Sequence, residues 1–171
     1  MKFPGIKSIG LFAVLALTAL AGPVAAHDDE ASLEGSWSMT ITATEPAGLP
    51  PFKGLISFLP SGDVIETRRP YVPFTPFGPV IESSGHGRWE RTGRRQYSVA
   101  FLFLLQASPN NVAFPNGEDL GTDNIRLQLR PSRDGETFTG TFMSAAKDAD
   151  GNVVFQARGT VAGTRLSAHP E

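Results

Sequence analysis

The chain runs to 171 residues with 15 basic and 17 acidic side chains and no cysteine. Without a basic excess it lacks the clustered positive face that phosphate backbones require, which argues against a nucleic-acid partner. Without cysteine it has no disulfide, thiol nucleophile or thiolate metal site, so a fold of this size must rest on its core alone.

The N-terminus has the order of a secretory leader. Lys2 and Lys7 precede an uncharged apolar run from Ile9 to Leu20, followed by small residues at Val24-Ala-Ala26 and an abrupt polar stretch, His27-Asp-Asp-Glu30. The run is shorter than the roughly 20 apolar residues a spanning helix wants. Cleavage near Ala26 is therefore expected, with a secreted or periplasmic product and no membrane span in the mature form. The leader carries two lysines and no acid, so its loss takes the net charge from −2 to −4. The expected division is a signal peptide at 1–26, a tail at 27–32, one domain at 33–166 and a second tail at 167–171.

Past residue 30 apolar side chains recur with period two, and Gly, Pro, Asn and Asp punctuate the runs, which reads as all-β. Strands are expected at roughly 35–43, 53–59, 64–69, 85–92, 96–106, 124–130, 137–146 and 152–165. Tight turns at Ser61-Gly62, Gly93-Arg94-Arg95, Asp134-Gly135 and Asp150-Gly151 alternate with long connections at 44–52, 70–84 and 107–123. Most tight turns fall at one end and the long connections at the other. That spacing predicts an eight-stranded antiparallel up-and-down β-barrel shaped as a cup, rather than a Greek-key sandwich.

Pairing outward from the turns gives a register. Leu129 should face Gly140 and Leu127 face Phe142, while across the next hairpin Phe142 should face Gly159 and Gly140 face Val161. Both hairpins place Phe142 inside with Leu127, Leu129, Phe155 and Val161, and put Arg126, Gln128, Arg130, Thr139, Thr141, Gln156 and Arg158 outside. A one-residue slip would reverse this, so their agreement is informative. Around Ser61-Gly62 a two-residue turn pairs Phe58 with Ile65 and Ile56 with Thr67, and sends Ser57 and Glu66 outward. The strand from Tyr97 to Leu105 is apolar on both faces, which leaves its register open.

The first strand opens Leu33-Glu-Gly35-Ser-Trp37. This G-x-W resembles the start of the lipocalin and wider calycin barrels. The stretches Gly85-His-Gly-Arg-Trp-Glu90 and Phe138-Thr-Gly-Thr141 are similar to those of bacterial exported lipocalin-like proteins of undefined role. The resemblance implies that Trp37 plugs the closed end, with Gly35 before it and Arg165 of the last strand lying across its indole. The chain departs from the pattern in having no T-D-Y-type motif, no C-terminal helix and no disulfide.

Barrels of this size either fill with side chains or hold one small ligand. Met39, Ile41, Ile56, Phe58, Trp89, Phe142 and Phe155 should line the interior. Glycines 87, 140 and 159 at inward parity either make room for a ligand or relieve crowding at a bend. The connection Pro70-Tyr-Val-Pro-Phe-Thr-Pro-Phe-Gly-Pro79 is held extended by its prolines, and its aromatics either cap the mouth or meet a partner. Asp148-Ala-Asp150-Gly-Asn152 begins like a calcium loop but lacks the later ligands, and hairpin chemistry accounts for it. A weak cation site is conceivable at Glu118, Asp119 and Asp123. Arg68-Arg69 and Arg94-Arg95 read as edge or turn charges. No Ser-His-Asp order, H-E-x-x-H or pair of buried carboxylates can be assembled, and no cofactor or metal is expected.

These features lead to a small hydrophobic molecule held in the barrel by Ile41, Ile56, Phe74, Phe77, Phe103, Phe142 and Phe155. The first alternative is an isomerase or cyclase acting on an apolar substrate, with Glu66, His86 or Arg69 as its polar group. The second is an interaction module using the aromatic 70–84 connection.

Overall fold

The computed structural model describes residues 31–72 and 76–167. Among them there is no helix, and ten antiparallel strands form the fold. They are β1 (Gly35–Glu45), β2 (Phe52–Phe58), β3 (Asp63–Arg68), β4 (Tyr71–Val72), β5 (Val80–Glu82), β6 (Gly85–Gly93), β7 (Gln96–Ala107), β8 (Asp119–Pro131), β9 (Thr137–Lys147) and β10 (Val153–Arg165). Eight of them run in the order β7-β6-β3-β2-β1-β10-β9-β8, and pairing of β8 with β7 closes the hoop. The short pair β4–β5 attaches to the far end of β7, where Val80 lies opposite Ala107. The barrel is thus the eight-stranded up-and-down one expected, with two short strands added at its mouth. Residues 1–30, where a leader was expected, and 168–171 fall outside the described residues.

Alternation sets the core. Along β7 Tyr97, Val99, Phe101, Phe103, Leu105 and Ala107 turn inward, leaving Leu102 and Leu104 on the outer face, which settles the strand that was apolar on both sides. Leu127 pairs with Phe142, Phe142 with Gly159 and Gly140 with Val161, as the turns required. The connection before β8 is shorter than expected, because β8 already begins at Asp119 and not near 124.

The register at β2–β3 differs from the expected one by a residue. Leu59 N–H bonds to Asp63 O at 2.9 Å and Gly62 N–H to Leu59 O at 3.0 Å, so Pro60, Ser61 and Gly62 form a three-residue loop. Gly62 occupies the left-handed region at φ +83°, which such loops need at this position. Phe58 therefore faces Val64, and Ile56 faces Glu66. Every side chain of β3 changes sides. Ile65 is on the outer face, and Glu66 points into the barrel.

The glycines relieve crowding. A Cβ on Gly87 would lie 2.0 Å from Ala100 O, on Gly140 2.1 Å from Gln128 O, and on Gly159 2.0 Å from Thr42 O. At these points the neighbouring backbone already occupies the space, so the missing side chains leave no room for a ligand.

Candidate functional site

The closed end is built around Trp37, which is fully buried and donates its indole N–H to Leu33 O at 2.8 Å. Arg165 sits opposite it in the β1–β10 register, and its guanidinium carbon lies 4.2 Å from the indole centroid. The guanidinium is held by three carbonyls, Gly135 O at 2.8 Å, Glu34 O at 2.5 Å and Ser32 O at 2.8 Å. Gly35 adopts φ +115°, and a Cβ there would come within 2.8 Å of this guanidinium. The glycine and tryptophan of G-x-W thus have separate tasks, one making room for the arginine and the other receiving it.

Above this end the interior is apolar, with Met39, Ile41, Ile56, Val99, Phe101, Phe103, Ile125, Leu127 and Phe142 in one cluster. Toward the mouth the lining changes character. Glu66 and Arg68 end β3, Glu82 ends β5, and Asp123 begins the inward-facing run of β8. Arg68 donates to Glu82 at 2.7 and 3.1 Å and to Asp123 at 3.4 Å, and stacks on Phe103 at 4.1 Å from the ring centroid. Ser144 Oγ donates to Asp123 at 2.7 Å. Beyond this polar layer a second apolar cluster of Val80, Leu105, Ala107, Leu120 and Ala146, joined by Phe77, Phe114 and Phe155, covers the mouth.

Glu66 stands apart within the layer. It is 1 % exposed, and among the described residues no donor reaches either of its carboxylate oxygens. Burial pushes its pKa from 4.5 up to about 7, with Arg68 opposing the rise and Glu82 and Asp123 reinforcing it. Glu82 is raised as well, first by burial, against the pull of Arg68. One arginine thus serves three carboxyl groups and hydrogen-bonds to two of them. Gly54 lies across from Arg68 on β2, and a Cβ there would fall 2.5 Å from Glu66 Oε1. The bare backbone at Gly54 is what lets the carboxyl lie against β2.

The residues expected to bind a ligand are distributed over two layers. Ile41, Ile56, Phe103 and Phe142 belong to the apolar interior, whereas Phe77 and Phe155 are half-buried in the mouth cluster. Phe74 lies outside the described residues. Of the polar candidates, Glu66 is inside. His86 is exposed on the outer face of β6 and Arg69 is exposed next to the end of β3. Arg68 is the inward residue of the Arg68-Arg69 pair and not an edge charge, because the three-residue loop reverses the parity of β3. Sequence reasoning did not single out Glu82 or Ser144, and it took Asp123 for a cation ligand; the buried carboxyls that it could not pair, Glu66, Glu82 and Asp123, are gathered here around Arg68. The two-residue spacing of Glu66 and Arg68 was the available signal, since it puts both on one face of a strand. Of the three acids considered for a cation, Asp123 is engaged by Arg68 and Ser144, Asp119 accepts the Gly121 N–H, and Glu118 is bonded to Asn116.

A shallow groove of about 870 Å³ lies on the outer face of the barrel. His86, Arg88, Leu102, Arg126, Met143 and Arg158 are among its walls. No protein-family model matches the chain, and no curated protein sequence matches it.

Proposed function

We propose that the chain is an exported lipocalin-like barrel that holds a small, largely apolar molecule in its interior, between the apolar belly and the mouth cluster. The observation that carries this reading is the carboxyl of Glu66, buried on the inner face of β3 with no partner among the described residues for either oxygen. A buried polar group without a partner costs about 1–3 kcal/mol, and such groups are retained where something else uses them. Phe103, Phe142, Ile41 and Ile56 supply apolar area beside it, at about 25 cal/mol for each Å² buried. Entry would proceed past Phe77, Phe114 and Phe155, whose half-buried side chains lie over the mouth.

Native mass spectrometry of protein purified from its own host tests the reading directly. The expected spectrum contains a co-purifying small molecule on a chain that begins at His27. An apolar fluorescent probe should brighten on binding and lose that response in Phe142→Trp, which fills the belly. If the probe responds equally in both proteins, binding is outside the barrel and the reading fails.

A second reading, the isomerase or cyclase, is favoured by one observation. Glu66 titrates near neutrality, where a general acid–base is most effective. On that reading the wild type would exchange the α-protons of an apolar cyclic ketone with D₂O, and Glu66→Gln would not.

A further inference from the structure

We infer that Glu66 is the counter-ion for the ammonium group of a small amphipathic amine. The inference rests on the interior-binding reading and names the class of molecule bound. Its basis is the distribution of charge around the carboxyl. Among the described residues the polar layer contains three acids, Glu66, Glu82 and Asp123, against one cation, Arg68. Arg68 is already committed, through Nε and one terminal nitrogen, to Glu82 and Asp123. Both oxygens of Glu66 are left for a donor that the described part of the chain does not supply.

An ammonium head meets that requirement. It brings a full positive charge and three N–H donors, enough to bond both Glu66 oxygens and still reach a neighbouring acceptor. An alcohol brings one donor and no charge. A carboxylate head would add a fourth acid to a site with one cation among the described residues, and would meet only the remaining terminal nitrogen of Arg68. The apolar wall formed by Met39, Ile56 and Phe103 next to the layer suits an alkyl or aryl tail, so the guest has a cationic end and a greasy body.

Octylamine, octanol and octanoate share a tail and differ in the head, and their affinities at pH 8 separate the possibilities. Calorimetric titration of the whole chain should give octylamine at least tenfold tighter than octanol, and octanoate weakest. Glu66→Gln should bring octylamine to within about twofold of octanol and leave octanol unchanged. Because the variant could alter packing, the wild type offers a second measurement. Octylamine affinity should rise between pH 5.5 and 8 as Glu66 gives up its proton, while octanol affinity stays level. If octanol or octanoate binds as tightly as octylamine, or if octylamine is insensitive to pH, the amine assignment is overturned while interior binding stands. If none of the three binds, both are overturned.

Discussion

Two interior residues with charge on them illustrate opposite solutions to burial. Arg165 is fully provided for, by an indole face and three carbonyls. Hydrogen bonds to a charged group contribute about 1.5–3 kcal/mol and a desolvated cation–π contact up to about 2. Arg165→Ala should therefore lower unfolding free energy by about 2–4 kcal/mol in a urea titration, and Arg165→Lys should recover less than half, because an ammonium lacks the fork that reaches three acceptors. Glu66 is not provided for. Its pKa is raised from 4.5 to about 7, so the folded state binds more proton than the unfolded chain between those values. The associated stability is fully present below about pH 4.5 and is lost as pH rises to about 7, amounting to roughly 3 kcal/mol. Glu82 is shifted in the same direction and adds to the slope. Glu66→Gln should flatten much of this pH dependence, and should be the more stable protein at pH 8 while nearly equal at pH 4.5. The arginine was legible in the sequence because the resemblance carried by G-x-W implies a basic residue across the indole, and Arg165 is the one that ends the last strand. The inward glutamate was not, because one extra loop residue at Pro60-Ser61-Gly62 inverts the strand, and a buried charge looks like a surface charge until its parity is known.

Among the elements, the hairpins show how little backbone latitude the barrel has. The strands around Gly87, Gly140 and Gly159 pass so near their neighbours that a methyl group would meet a carbonyl oxygen. Gly159→Ala should cost more than about 2 kcal/mol, since relief requires moving backbone and not a side chain, and the loss should appear as a lowered melting temperature. The β6–β7 turn presents the opposite case. Arg95 holds a left-handed φ of 51°, a conformation costing a residue with a Cβ about 1–2 kcal/mol. Arg95→Gly should raise stability by up to about 1 kcal/mol after the greater freedom of glycine in the unfolded chain is allowed for. The eight long strands could be read from period-two patterns and turn residues. The two short ones, β4 and β5, could not. They span two and three residues inside a proline-rich connection, and no alternation can be recognised over so few positions.

For the molecule as a whole, each of the eight long strands depends on two neighbours, and the inward side chains form one stack from Trp37 to Phe155. Loss of one wall should therefore be felt throughout. Phe103→Ala removes a fully buried ring under Arg68 and should cost about 3–5 kcal/mol. Urea transitions followed by tryptophan fluorescence, which reports Trp37 and Trp89, and by far-UV circular dichroism should shift together and stay superimposed, as a single cooperative unit requires. The barrel was legible because many weak patterns agreed. Its polar layer was not, because Glu82 and Asp123 lie in segments that read as connections, and only closure of the hoop brings them to Arg68.

That closure also governs how the protein can meet other chains. Among the described residues, pairing of β7 with β8 leaves no long strand with a row of unsatisfied amides, and the sheet order ends at β4, Tyr71–Val72, only two residues long. A border so brief gives an incoming peptide too few rungs on which to assemble. Extension of the sheet is disfavoured at that border, whereas the outer wall presents apolar side chains such as Leu104 and Met143, each about three-fifths exposed.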